Sequence, residues 1–196
     1  MTDPVARVIL AAGREKSLRR RHPWVFSGAI RRVEGDPAAG DTVAVTAADR
    51  RVLGLAAWSP ESRIPARIWT FDPEETVDAD FFHRRVRSAW AAREGWMAGG
   101  DTCVRVIHAE ADGLPGVVVD RYGDWLVCQL LSAGAERWRE VIVAALMAGI
   151  PGIAGIYERS DAEVRGKEGL AQRTGGIHGT EPPPRIEILQ GGARFL

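Results

Sequence analysis

The sequence predicts an α+β protein: a small, strongly curved β-barrel, then a mixed α/β unit of strands with two helices, then an incomplete β-hairpin. Three observations carry this. Residues 1–71 hold five short apolar stretches separated by turn chemistry, which suits a tightly curved sheet. Two later stretches place their apolar side chains at helical spacing between further strands. Near the end, Gly191-Gly192 sits between two short apolar segments, the pattern of a two-residue hairpin turn.

The elements follow in order. Residues 5–12 form the first expected strand, and residues 15–21 a short helix stopped by Pro23. Residues 28–33 form a strand that ends at Glu34-Gly35-Asp36-Pro37, strong turn chemistry. Residues 42–46, 52–58 and 66–71 supply the remaining strands of the barrel. Asp78 is placed to cap a helix whose apolar face is Phe82, Val86, Ala89, Trp90 and Met97, and Gly99-Gly100 ends it. Residues 104–109, 117–120 and 125–131 read as three antiparallel strands with turns at Asp112-Gly113 and Tyr122-Gly123-Asp124. A second helix spans 135–148, with Trp138, Val141, Ile142, Ala145 and Leu146 on one face, and residues 153–158 return as a strand. Residues 175–184, with their glycines and three successive prolines, read as an extended linker. The expected division is a barrel over 1–72, a middle α+β unit over 73–174, and a linker plus first hairpin over 175–196.

Composition narrows the function classes. At 45% hydrophobic over 196 residues, the chain can bury a core. Its apolar stretches, such as residues 125–131, fall far short of the roughly 20 residues a membrane span needs. The apolar segment 8–12 is too short for a secretory signal, so a cytoplasmic protein without membrane association is expected. Cys103 and Cys128 are too few for a disulfide framework and read as small apolar residues. The histidines His22, His83, His108 and His178 are scattered, and no metal site is expected. Net charge is zero, yet residues 1–71 carry +5 and residues 72–196 carry −5. A basic first part meets a polyanion more readily than an acidic second part does.

The densest chemistry lies in Arg14, Lys16, Arg19, Arg20 and Arg21, five cations in eight residues. His22, Trp24 and Phe26 follow directly, and Arg31 and Arg32 lie a little further on. Arginine forks onto phosphate oxygens, and aromatic faces stack on unpaired bases. The aromatics either do that or turn into the barrel. Arg14, Lys16, Arg19, Arg20, Arg21, His22, Trp24, Arg31 and Arg32 are therefore the candidate RNA-binding residues. A second constellation, Arg159, Asp161, Arg165, Lys167 and Glu168, is either a salt-bridged loop or a surface facing substrate or another domain.

The motifs carry a resemblance. Gly13-Arg14-Glu15-Lys16-Ser17 followed by His22-Pro23-Trp24-Val25-Phe26-Ser27-Gly28 resembles the opening of the bacterial 23S rRNA cytosine-C5 methyltransferase family. The likeness continues through Ser59-Pro60, Arg67-Ile68-Trp69-Thr70-Phe71, Asp112-Gly113-Leu114-Pro115-Gly116 and Asp120-Arg121-Tyr122-Gly123. It extends through Gln129-Leu130-Leu131-Ser132-Ala133-Gly134, Glu158-Arg159-Ser160-Asp161 and Arg165-Gly166-Lys167-Glu168-Gly169.

The resemblance implies an N-terminal PUA domain, a small RNA-binding barrel, then a middle α/β domain. It also implies S-adenosylmethionine as the cofactor of the full-length family and large-subunit rRNA as the partner. The family's cofactor loop, acidic ribose-binding residue, Asp-Pro-Pro stretch and nucleophilic cysteine correspond to positions beyond Leu196. No catalytic or cofactor-binding residue is therefore assigned, and a C-terminal methyltransferase domain is expected to be missing. Such a chain should bind rRNA and not methylate it. The rival expectation is a stand-alone PUA-type RNA-binding protein with a regulatory or ribosome-assembly role. A third is a module whose acidic second unit recruits a protein. The sequence sets no oligomeric state.

Overall fold

A computed structural model describes residues 6–196; the start of the first expected strand, at Val5, lies outside the described residues. The protein is α+β, built on two sheets and a terminal hairpin. The first sheet contains β1 (Arg7–Leu10), β2 (Trp24–Val25), β3 (Ile30–Glu34), β4 (Thr42–Thr46), β5 (Val52–Trp58) and β6 (Ala66–Thr70). Its order is β2-β6-β5-β4-β1-β3, antiparallel except for β1 beside β4. Five of these strands were expected; β2, only two residues long, is an addition.

The sheet curls around Val8, Leu10, Val25, Val43, Val45, Ala56 and Ile68. Gly54 permits the tight crossing of β5 over β6: its φ is +154°, and a Cβ there would lie 2.5 Å from the Thr70 carbonyl oxygen. Helix α1 (Lys16–Arg19) buries Leu18 in this core and leaves its cations outside.

The second sheet runs β11-β10-β9-β8-β7, from β7 (Cys103–His108), β8 (Val117–Tyr122), β9 (Trp125–Leu130), β10 (Gly155–Ser160) and β11 (Arg173–Gly179). Only the β9–β10 pair is parallel, and helices α4 (Ala133–Arg137) and α5 (Arg139–Gly149) make that crossover. Helix α5 packs with α2 (Ala79–Ala91) through Phe82, Val86, Ile142, Ala145 and Leu146. The Asp78 carboxylate accepts from the Phe81 amide at 2.9 Å, the expected cap. Each expected helix is broken once. A short α3 (Glu94–Ala98) follows α2 after Ala92-Arg93, and Trp138 separates α4 from α5. None of these helices is long and apolar enough to cross a membrane.

Three expectations are corrected. Residues 175–184 are not wholly an extended linker: Gly175, Gly176 and Gly179 belong to β11, which pairs with β10 along its length. The reason is close approach, since a Cβ on Gly179 would lie 2.2 Å from the Ala154 carbonyl oxygen. The strand expected over 117–120 runs on to Tyr122, and its Asp120 pairs with Arg105 at 2.8 Å. The terminal hairpin β12 (Ile188–Gln190) and β13 (Ala193–Phe195) turns at Gly191-Gly192 as expected, both with positive φ. It does not stand alone, because Leu189 exchanges hydrogen bonds with Thr102 at 2.7 and 2.8 Å.

The two sheets share packing. Strands β5 and β6 alternate: Ala56 and Ile68 enter the first core, while Ala57 and Trp69 enter the second beside Phe81 and Phe82. At Gly134, a Cβ would lie 2.3 Å from Ala57 Cβ and 2.8 Å from Trp69. Helix α4 therefore sits directly on the outside of the curled sheet.

Candidate nucleic-acid interface

Helix α1 and the strand after it gather the cations. The helix closes with the His22 amide donating to the Ser17 carbonyl at 3.0 Å and the Arg21 amide donating to the Leu18 carbonyl at 2.9 Å. This is a Schellman closure, which places Arg21 in the left-handed region at φ 61°. Glycine is the usual residue there, and a side chain with a Cβ costs about 1–2 kcal/mol.

Arg14, Lys16, Arg19, Arg20 and Arg21 are all exposed, as the sequence predicts for a helix anchored by Leu18 alone. Arg19 pairs with Glu15 at 3.4 Å, and the Arg21 guanidinium lies 5.1 Å from the Phe71 ring centroid. Among the described residues, Arg14, Lys16, Arg20 and Arg31 have no carboxylate partner. Arg32 is engaged: with Arg50 it brackets Glu34, at 2.7 and 3.1 Å. The hydrogen bond from Arg32 holds the Glu34 carboxyl below its ordinary range. Arg32 is therefore less free than its neighbour Arg31.

The aromatics do not turn into the barrel. Val25 alone does, while His22, Trp24 and Phe26 share the opposite side of the extended chain. Their centroids lie 5.7 Å (His22–Trp24), 6.2 Å (Trp24–Phe26) and 6.4 Å (His22–Phe26) apart. Phe26 is 50% exposed. The sequence grouped Phe26 with the aromatics without making it a candidate residue, and it left out Arg63. The signal for Phe26 was its two-residue spacing from Trp24. Arg63, exposed on the β5–β6 loop, had no local signal; its carbonyl accepts from the Ser27 amide at 3.3 Å.

A buried network stands behind this face. Trp24 Nε1 donates to Glu110 at 2.7 Å, and Glu110 lies 4.0 Å from Arg67. Arg67, opposite Trp24 in the β2–β6 register, donates to both Glu168 oxygens at 2.7 and 3.0 Å. The single turn carrying Glu168 also packs, at Gly169, against Glu61 of the β5–β6 loop.

The second charged constellation is thus split. Arg159 and Asp161 form an exposed pair at 3.2 Å, and Lys167 is exposed. Arg165 is not at a surface. It is 1% exposed, donating to Leu130 O, to Ala171 O at 2.7 Å and to Glu136 at 3.0 Å. A planar guanidinium can serve three acceptors in a fan, which explains why the core accepts it.

Glu158 is buried on β10 and takes two hydrogen bonds from Arg139, one of them at 2.7 Å. Burial alone would raise its pKa, but the bonds from Arg139 and Ser160 outweigh it and the carboxyl lies below its ordinary 4.5. A lowered carboxylate stabilises the fold above its unfolded value and loses that contribution as pH falls through its folded value. Unfolding free energy measured from pH 7 downward should therefore fall below about pH 4.5, and less steeply in Glu158→Gln.

Neither the connection into α2 nor that into α4 offers S-adenosylmethionine a cradle. That cofactor takes a glycine-rich turn from a strand into a helix N-terminus. The β6–α2 connection, residues 71–78, contains no glycine. In the first turn of α4, which follows β9, the space beside Gly134 is filled by Ala57 and Trp69. Both cysteines are buried: burial pushes the Cys128 thiol up to about 12, and burial also raises that of Cys103.

Residues 8–71 match the family model described as a PUA-like domain. The chain is 56% identical over 191 residues to Ribosomal RNA large subunit methyltransferase I of Shewanella denitrificans, covering 96% of this chain and 48% of that protein. It is 54% identical over 190 residues to the protein of the same name from Aeromonas salmonicida, with the same coverage. A solved chain from Streptococcus mutans shares the fold at TM-score 0.81 and 19% identity, over 96% of this chain and 47% of that one. The chain spans about half the length of the curated relatives it matches. Over nearly all of its own length it is thus similar to Ribosomal RNA large subunit methyltransferase I, with a PUA-like domain carrying the cations and aromatics described above.

Proposed function

We propose that this chain is the RNA-holding part of an S-adenosylmethionine-dependent 23S rRNA cytosine-C5 methyltransferase of the cytoplasm. In this reading the barrel over residues 1–72 grips large-subunit rRNA. The middle unit, taken to Gly179 to include β11, supports it. The residues after β11 lead toward a methyltransferase domain outside these 196 residues. The observation that carries the reading is the strained arginine-rich end of α1 beside three clustered aromatic side chains. It is supported by the names of the relatives above.

In cytosine-C5 methylation a thiolate attacks the base and the cofactor supplies the methyl group. The buried thiol of Cys128 and the filled space at Gly134 support assigning both roles elsewhere. What these residues contribute is grip and orientation: cations on phosphates, and a rigid barrel to set the angle of approach.

The test is RNA binding as a function of salt. Arg19→Gln, Arg20→Gln and Arg21→Gly together should flatten the slope of log K against log salt by about 2–3. Glycine at position 21 relieves backbone strain, so weakened binding would not reflect a damaged helix end. An unchanged slope would show that these side chains do not touch phosphate. Methyl transfer to rRNA by the 196-residue chain alone would overturn the assignment of catalysis elsewhere.

A further inference from the structure

We infer that the His22–Trp24–Phe26 ridge takes an unpaired base, so that this face selects single-stranded RNA over duplex. The inference rests on the RNA-binding reading above. Three observations carry it. First, two-residue spacing turns all three rings away from the barrel core that Val25 fills, with His22 and Phe26 exposed and Trp24 half-buried between them, so packing in that core does not explain the ridge. Second, Trp24 stands edge-on to both neighbours, at interplanar angles of 83° and 84°, and Phe26 keeps half its surface free. An edge-to-face contact occupies one face of one ring, so the surface that Phe26 keeps exposed is open to a third partner.

Third, the indole is fixed before any ligand arrives. The bond from Trp24 Nε1 to Glu110 at 2.7 Å, with Arg67 behind it, keeps the ring from swinging. A ring already ordered loses little entropy on binding.

The flanking charge identifies the ligand. Arg20 and Arg21 directly precede the ridge in the chain, and the loop bearing Arg63 is hydrogen-bonded to Ser27 just after it. Cations bordering a small aromatic ridge match a nucleotide, a flat base with a phosphate on each side. A duplex hides its base faces and presents only edges and backbone, so it can use the cations but not the rings. An unpaired base uses both.

The experiment compares two probes on the full chain by fluorescence anisotropy: a short unstructured RNA and a duplex of equal length. Wild type should bind the single strand more tightly. Phe26→Ala should weaken single-strand binding about tenfold, by loss of one stacking face, with duplex affinity and thermal unfolding unchanged. Phe26→Tyr, which keeps a ring, should restore it. The inference is overturned if wild type binds duplex as well as single strand, or if Phe26→Ala binds both as wild type does or loses both equally. In each of those cases the RNA-binding reading survives. If wild type binds neither probe at low salt, the RNA-binding reading itself falls.

Discussion

Replacing Glu168 by alanine should cost about 3–5 kcal/mol of folding stability, because it takes both close carboxylate bonds from the buried Arg67 guanidinium and leaves it only Glu110 at 4.0 Å and the Ile64 carbonyl at 3.4 Å. Arg67 is 8% exposed and Glu168 3%, so water cannot replace the lost carboxylate. A surface pair of the same geometry would be worth about 1 kcal/mol or less. The loss should extend to the ridge, since Arg67 stands opposite Trp24 and within 4.0 Å of Glu110. Chemical denaturation checks the magnitude. The paired replacement Arg67→Met with Glu168→Leu should recover most of it, because two apolar side chains leave no charge stranded. If Glu168→Ala unfolds within about 1 kcal/mol of wild type, the pair does not hold the barrel to the middle unit.

Arg165→Met should have an effect of the same order, about 3–5 kcal/mol. The change deprives the carbonyls of Leu130 and Ala171 of a donor and leaves Glu136 to Arg173 alone, at 3.3 Å. Arg165→Lys should recover little, because an ammonium on a flexible stem cannot serve three acceptors lying in a guanidinium plane. The control is Lys167→Met, two residues away and exposed, where a change within about 0.5 kcal/mol is expected. Urea midpoints of the three variants give a direct reading. Equal losses at 165 and 167 would show that Arg165 is not the anchor of this turn.

These two cations show where sequence reasoning stopped. Arg165 and Lys167 look alike in the chain and were grouped as one possible docking surface. The acceptors that separate them come from Leu130, Glu136 and Ala171, on other elements. Glu168 meets Arg67 across 101 residues, and Trp24 meets Glu110 across 86. No local spacing encodes either contact. The direction of the aromatics was also open in the sequence, because both faces of a two-residue strand are plausible until the curl of the sheet decides which one is inside.

What the sequence determined by itself was local. Apolar periodicity placed most of the strands and both helical regions, Asp78 announced its cap, and Gly191-Gly192 announced its turn. The cationic run from Arg14 to Arg21 was legible because one buried leucine can seat a single helical turn and leave charge outside. Tertiary structure alone decided that residues 173–179 complete a sheet, that β5 and β6 bury both faces, and that one arginine of a charged turn belongs to the core. The reason is range. Backbone propensity and capping act within a few residues, whereas burial and ion pairing depend on which distant segments the fold brings together.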